Sequence, residues 1–77
     1  MELSELQLRN KIIMVTGANQ GIGKTASITY ASLGAKVILL GRSLESLEAV
    51  YDEIVGLNYT EPMISLMGMK APYLILV

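Results

Sequence analysis

The 77-residue sequence contains no cysteine, no histidine, no tryptophan and no phenylalanine. Without cysteine no disulfide can form, and without cysteine and histidine the usual ligands of structural zinc are missing. Small domains often depend on such cross-links, because they bury only a modest fraction of their unfolded surface. We therefore expect a single domain of marginal stability that has neither a disulfide nor a metal site.

Charge is also scarce, with six basic and seven acidic residues and a net charge of −1. This balance provides no electrostatic footprint for nucleic acid. The longest apolar stretch, residues 63–77, is interrupted by Lys70 and Pro72 and is shorter than a membrane-spanning helix requires. The beginning of the chain, MELSELQLRN, is polar and acidic, unlike a signal peptide. We expect a soluble, cytoplasmic chain that binds neither nucleic acid nor membranes.

Apolar runs alternate with segments of helix length. The runs KIIMVTG (11–17) and AKVILLG (35–41) are typical of buried strands. The segment between them, 21–34, predicts a helix that is closed by Gly34. MISLMGM (63–69) predicts a third strand, and YLILV (73–77) resembles the start of another.

The segment after Ser43 predicts a second helix, capped by Ser43 and ended by Gly56 and Asn58. Its apolar residues recur at helical spacing on one face: Leu44, Leu47, Val50, Tyr51, Ile54 and Val55. The element order predicts an α/β fold, β-α-β-α-β with parallel strands. Because three parallel strands leave sheet surface uncovered, we also expect poor solubility and self-association through that surface. The methionines at 63, 67 and 69 are expected to fill the core.

The stretch VTGANQGIGKT (15–25) fits two nucleotide-binding patterns. From Gly17 it is a glycine-rich turn of the dinucleotide type, G-x-x-x-G-x-G. From Ala18 it is one residue away from a Walker A loop, with Lys24 and Thr25 at the positions that contact phosphate and magnesium. Both patterns place an anion at the start of a helix, where free N–H groups and the helix dipole favour it. The glycines alone therefore leave both hypotheses open, and Lys24 by itself is expected to be a solvated first-turn residue.

Arg42 favours the dinucleotide hypothesis. It follows the second strand, nineteen residues after Gly23, where dinucleotide-binding folds meet the adenosine ribose. An acidic residue there would bind the 2′-hydroxyl of NAD, whereas an arginine accommodates the 2′-phosphate of NADP. The Walker hypothesis makes no use of Arg42, and it has Ala18 where the pattern has its first glycine. The sequence therefore predicts NADP as the cofactor, with NAD less favoured.

The sequence T-G-A-N-Q-G-I-G, followed by LGAKVILLGRS, resembles the coenzyme-binding region of the short-chain dehydrogenase/reductase family over residues 8–55. The resemblance implies a partial Rossmann fold and an NAD(P)-dependent oxidoreductase. By the same resemblance, Gly17, Gly21 and Gly23 shape the loop. The other implied cofactor contacts are Asn19, Gln20 and Ile22 at the pyrophosphate and ribose, and Arg42 and Ser43 at the 2′-phosphate.

The sequence also departs from the family pattern. Gly68 stands where the family usually has an aspartate that contacts adenine, and residues 66–77 diverge. The family's Y-x-x-x-K pair, in which the lysine lowers the pKa of a catalytic tyrosine, is missing. The residues four positions after the tyrosines are Gly34, Val55, Met63 and Val77.

We therefore expect residues 1–77 to form a single incomplete dinucleotide-binding domain, the N-terminal coenzyme-binding part of an NADP-dependent oxidoreductase without its catalytic residues. Two alternatives stay open at this point. One is a P-loop-like ATP- or GTP-binding fragment, and the other is a non-functional product of a truncated or frameshifted gene.

Overall fold

The computed structural model describes residues 7–66, which form three strands and two helices. The elements in chain order are β1 (Ile12–Thr16), α1 (Gly21–Ser32), β2 (Lys36–Gly41), α2 (Leu44–Gly56) and β3 (Met63–Leu66). All strand pairs are parallel, in the order β1-β2-β3. The predicted β-α-β-α-β fold with parallel strands is confirmed. Residues 67–69, Gly68 and the strand expected at 73–77 lie outside the described residues.

Both helices pack on one face of the sheet. The strand residues Val15, Val37 and Leu39 are fully buried and belong to the same apolar cluster as Ala31 of α1. The cluster also contains three residues of α2, Leu47, Val50 and Ile54. Because α1 and α2 share this cluster, they cover the same side of the strands, as two successive crossovers of one hand require.

The opposite face of the sheet carries apolar side chains that no helix within residues 7–66 covers. Strand register aligns Met14, Ile38 and Met63 in one row across the three strands. Side chains alternate between faces along a strand, so this row points away from the residues of the core cluster. Met63 is 52% exposed and Ile12, on the same face, is 67% exposed. The expectation that Met63 fills the core is therefore wrong, because its position in the register turns it away from the helices.

Helix α2 begins and ends as the sequence predicts. Ser43 is its N-cap, and Asn58 adopts a left-handed conformation two residues after Gly56. The apolar stripe is narrower than the periodicity indicates, because Leu44 and Val55 are 47% and 42% exposed. These two positions flank the stripe, where neither the sheet nor α1 covers them.

Tyr51 links α2 to the segment that leads into β3. Its hydroxyl donates a hydrogen bond to the carboxylate of Glu61. That hydrogen bond raises the pKa of Tyr51 above its ordinary value of 10.0, with smaller contributions from desolvation and from the negative charges of Glu61 and Asp52. The neutral form of Tyr51 therefore holds this connection at physiological pH.

Candidate functional site

The turn between β1 and α1 has a backbone that only glycine adopts without strain at two positions. Gly17 has φ +61° and Gly21 has φ +58°, both in the left-handed region. Between them, Ala18 is fully buried, and its N–H donates to the carbonyl of Leu40 at 3.3 Å. This bond attaches the turn to the end of the middle strand.

Gly23 is required for a different reason, which is contact between backbones. A Cβ at this position would lie 2.2 Å from the carbonyl oxygen of Gly17 and 3.1 Å from that of Thr16. Both distances are shorter than or at the limit of real contacts, and the obstacle is backbone rather than a flexible side chain. The first turn of α1 can lie against the end of β1 only because residue 23 has no side chain.

The start of α1 suits an anion. Its N-cap, Gln20, makes no side-chain hydrogen bond to the helix, and the first turn contains no acidic residue. The first N–H groups of a helix have no intrahelical acceptor, and the dipole makes this end positive. A Cβ built on Gly17 or Gly21 meets nothing within 4 Å, so the backbone faces open space here. These features fit the pyrophosphate of a dinucleotide, whose oxygens need close approach to N–H groups.

A second turn lies beside the glycine turn, where β2 passes into α2. The two turns enclose a shallow cleft of about 350 Å³. The cleft is lined by Thr16, Gly17, Asn19, Gly41, Arg42 and Ser43. The structure thus brings together four of the predicted contacts from two separate sequence segments: Gly17, Asn19, Arg42 and Ser43.

The other four predicted contacts surround the start of α1. Gly21 and Ile22 border a larger, open depression of about 780 Å³ along the outer side of that helix. Ile22 is 80% exposed, so its side chain makes little contact with the protein. Gln20 caps the helix through its backbone, and Gly23 packs against Gly17.

Arg42 and Ser43 differ in how the protein holds them. Arg42 is exposed, and within residues 7–66 no carboxylate forms an ion pair with its guanidinium. The Ser43 hydroxyl oxygen accepts a hydrogen bond from the backbone N–H of Ser46 at 3.3 Å, as an N-cap does. Because this oxygen accepts, the hydroxyl proton of Ser43 can still be donated to a ligand in the cleft.

Gly41 is a residue of this site that the sequence argument missed. It is buried, and a Cβ on it would lie 3.1 Å from a methyl carbon of Leu47. The missing side chain allows Leu47, in the first turns of α2, to pack directly under the turn that carries Arg42. A glycine immediately before Arg42 was the signal available in the sequence.

The sequence predicts that Lys24 is a solvated residue, but in the structure it forms an ion pair. Its ammonium lies 3.3 Å from a carboxylate oxygen of Glu53 in α2, and both side chains are roughly half-exposed, at 42% and 45%. The lysine in the Walker-like position is therefore engaged with the neighbouring helix.

Within residues 7–66, no group of three or more acidic, histidine or cysteine side chains is placed to hold a metal ion. Over the same range, no helix is both long enough and apolar enough to cross a membrane.

Known proteins share this sequence and this arrangement. The uncharacterized oxidoreductase YciK of Escherichia coli (strain K12) is 55% identical over 47 residues, which are 61% of this chain and 19% of that protein. Member 7C of the SDR family of dehydrogenases/reductases, from Xenopus tropicalis, is 37% identical over 54 residues, or 70% of this chain and 17% of that protein. The chain thus spans about a fifth of the length of these curated relatives.

Solved structures give the same result. A short chain dehydrogenase from Escherichia coli CFT073, determined in complex with NADPH, superposes with a TM-score of 0.79 at 39% identity and covers 90% of this chain and 28% of its own. A short chain dehydrogenase from Shigella flexneri 2a, in complex with NADP, superposes with a TM-score of 0.77 at 42% identity, covering 86% of this chain and 27% of its own. The family model described as short chain dehydrogenase matches residues 11–68. With three quarters of its length matched by that model, the chain belongs to the short-chain dehydrogenase family of oxidoreductases and has the beginning of its Rossmann fold.

Proposed function

We propose that this chain binds NADP and forms the coenzyme-binding part of an NADP-dependent oxidoreductase. The observation that carries the proposal is the shared cleft, in which Arg42 lies beside the glycine turn. Two solved relatives that hold NADPH or NADP at 39% and 42% identity support the choice of cofactor.

Each predicted residue has a role that its surroundings permit. Gly17, Gly21 and Gly23 give the turn its shape and leave open space in front of the helix N–H groups, where the pyrophosphate would lie. Asn19, Gln20 and Ile22 would contact the pyrophosphate and ribose from the rim of the turn. The remaining two residues, Arg42 and Ser43, would bind the 2′-phosphate.

Arg42 suits the 2′-phosphate because its guanidinium is always charged and presents a planar fork of donors. It is exposed at the cleft, and no ion pair within residues 7–66 competes for it. Ser43 would add a hydroxyl proton while its oxygen continues to cap α2. NAD lacks the 2′-phosphate, so it would lose both interactions.

The bound nicotinamide cofactor would supply hydride transfer, but the acid–base chemistry needs residues other than these. No tyrosine in the sequence is followed four residues later by a lysine. We propose that residues 1–77 are an incomplete dinucleotide-binding domain that binds coenzyme without catalysis. An oxidoreductase assay of the 77-residue chain with NADPH and a panel of carbonyl compounds should show no turnover.

The ATP/GTP hypothesis has less support. It requires Lys24 at the phosphates, whereas Lys24 is paired with Glu53, and it gives Arg42 no role. The hypothesis that the chain is the product of a truncated or frameshifted gene stays a prediction. It is checked by sequencing the source DNA past codon 77 and searching the translations of all three frames for the Y-x-x-x-K pair.

The test of the NADP proposal is a comparison of dissociation constants for NADP and NAD. The native chain should bind NADP more tightly, by about tenfold or more, because a hydrogen bond to a charged group contributes about 1.5–3 kcal/mol. Arg42→Ala should reduce NADP affinity to the level of NAD and leave NAD affinity unchanged. Arg9→Ala is the control, because Arg9 is exposed but lies away from the cleft, near Asn10 and Gly34. Equal affinities of the native chain for the two cofactors would refute the assignment of Arg42.

We also propose that the chain self-associates through the sheet face that carries Met14, Ile38 and Met63. Parallel sheets are normally covered on both faces, and here Met63 and Ile12 are more than half-exposed. Sedimentation velocity should show a concentration-dependent increase in mass for the native chain and a smaller one for Met63→Lys. Leu57→Lys, at a residue that is 48% exposed just beyond α2, is the control and should behave as the native chain.

The cytoplasmic location of the protein stays a prediction, which cell fractionation would check.

A further inference from the structure

Lys24 places a positive charge at the end of α1 where the helix itself does not favour one. It follows Gly23 directly and belongs to the first turn, with its N–H donating to the carbonyl of Gln20 at 3.2 Å. A cation near a helix N-terminus opposes the dipole, which favours negative charge there. Such a charge weakens the isolated helix but strengthens the attraction of that end for an anion.

Glu53 also has a charge that is unfavourable at its position in its own helix. It lies in the last turn of α2, which ends at Gly56, and a carboxylate near a helix C-terminus also opposes the dipole. The two charges meet at 3.3 Å across the helix pair. Both side chains remain more than two fifths exposed, so water screens the pair and its net contribution to folding stability is small.

The ion pair borders the anion site. Lys24 and Glu53 line the same depression as Gly21 and Ile22, the first two residues of α1. The N–H groups of these residues are among those that would approach the pyrophosphate. Lys24 and Glu53 therefore line the depression at the start of α1, whereas Arg42 lines the separate cleft between the two turns.

We propose that Lys24 is an auxiliary positive charge for the pyrophosphate and that Glu53 sets its strength by partly neutralising it. This inference rests on the proposed function, since it assigns an electrostatic role at the same site. It differs from the role of Arg42 in one measurable respect. NAD and NADP have the same pyrophosphate, so Lys24 and Glu53 change the affinity for both cofactors by the same factor, whereas Arg42 changes their ratio.

Single substitutions measure the two charges separately. Lys24→Gln should weaken NAD and NADP binding equally, by about two- to fivefold, the range expected for one charge near a helix terminus. Glu53→Gln should strengthen both by a similar factor. Glu48→Gln is the matched control, because Glu48 is an exposed glutamate of α2 that does not line the depression. Both effects should disappear at about 1 M salt, where the Debye length is about 3 Å.

The exchanged pair separates electrostatics from a purely structural connection between the helices. Lys24→Glu combined with Glu53→Lys keeps an ion pair between α1 and α2 but places the negative charge beside the glycine turn. If the pair only connects the helices, this double variant should bind the cofactors as the native chain does. We expect instead that it binds both more weakly than Lys24→Gln does, with a urea unfolding midpoint at or above the native one, because each exchanged charge then favours the dipole of its own helix.

Inorganic pyrophosphate distinguishes this inference from the proposed NADP preference, because it has neither adenosine nor a 2′-phosphate. Titration of the native chain and of the four variants, followed by NMR shifts of the Gly21 and Gly23 amides, should give the same order of affinities as the cofactors. A native chain that binds pyrophosphate more tightly than Lys24→Gln does but shows no NADP preference would refute the role of Arg42 and support that of Lys24. Absence of pyrophosphate binding, or equal binding by Glu53→Gln and Glu48→Gln, would overturn the inference.

Discussion

The two turns that form the cleft differ in what fixes their conformation. The turn at residues 17–20 is shaped by backbone, with left-handed glycines at 17 and 21 and direct contact between Gly23 and Gly17. The turn at Arg42 and Ser43 is shaped by side chains, with the Ser43 hydroxyl capping α2 and Leu47 packed under Gly41.

This difference matches what each turn is proposed to bind. A pyrophosphate is recognised by N–H groups that must come close, so side chains have to be absent. A 2′-phosphate is recognised by a charged fork, so a side chain has to project from a fixed backbone. The first turn should therefore be sensitive to any added atom, and the second should be sensitive to loss of particular groups.

The largest effect should come from adding a methyl group to the first turn. Gly23→Ala should lower the free energy of unfolding by about 3 kcal/mol, because the new Cβ would lie 2.2 Å from the carbonyl oxygen of Gly17 and backbone has to move. Urea unfolding followed by circular dichroism measures it. Gly56→Ala is the control, since a Cβ there meets nothing within 4 Å and alanine favours a helix by about 0.5–1 kcal/mol. A Gly23→Ala chain as stable as the native one would show that the two backbones are not in contact.

A smaller effect should follow where the conformation alone demands glycine. Gly17→Ala should cost about 1–2 kcal/mol, because φ is +61° although space for the Cβ is open. Gly17→Asn should cost less, since asparagine tolerates the left-handed region better than alanine. The same unfolding measurement checks both, and the prediction fails if the asparagine variant is the less stable of the two.

The second turn should respond to loss of its cap. Ser43→Ala should cost about 1 kcal/mol, the usual value for an N-cap serine, because the N–H of Ser46 loses its acceptor. Ser46→Ala is the control, because Ser46 takes part in the cap through its backbone only. Thermal unfolding should give a clearly lower melting temperature for Ser43→Ala than for Ser46→Ala. Equal melting temperatures would show that the Ser43 hydroxyl does not stabilise α2.

The smallest effect should be a dependence of stability on pH, which we expect for the helix that follows the second turn but not for the backbone contact of the first turn. The Tyr51–Glu61 hydrogen bond connects α2, the helix that follows the second turn, to the segment before β3. The bond depends on neutral tyrosine, and it raises the pKa of Tyr51 above 10.0. Its stabilisation is therefore complete below pH 10 and is lost as pH rises through the raised pKa of the folded state.

The measurement is the difference in unfolding midpoint between the native chain and Tyr51→Phe from pH 8 to pH 11. That difference should shrink toward the alkaline end. The backbone contact of Gly23 contains no titrating group, so the loss of stability in Gly23→Ala should stay constant over the same range. A native–Phe difference that is independent of pH would contradict the role of Tyr51.

The sequence by itself was sufficient for the element order and for predicting that residues of the glycine turn lie beside Arg42 and Ser43. Gly34 and Asn58 mark helix ends because left-handed backbone is costly for other residues, and both have positive φ in the structure. The spacing from Gly23 to Arg42 placed the two turns at the ends of adjacent strands. Parallel neighbours bring their carboxyl ends to one edge, so the cleft follows from topology.

Periodicity was less reliable for burial. It could not tell the flank of an apolar stripe from its centre, so Leu44 and Val55 were expected inside and are exposed. Met63 was expected in the core, but its face depends on register with Ile38, which no local pattern fixes.

The sequence thus determined where the chain turns, which residue types stand at those turns, and that the helix start proposed to bind phosphate precedes an arginine. Those features follow from φ preferences and from residue spacing, which are local properties of the chain. Only the tertiary structure decided that Gly23 lies against Gly17, that Leu47 packs under Gly41, and that Lys24 pairs with Glu53. Each of these contacts depends on how closely helices and strands approach one another, and that distance is set by the packing of the shared core.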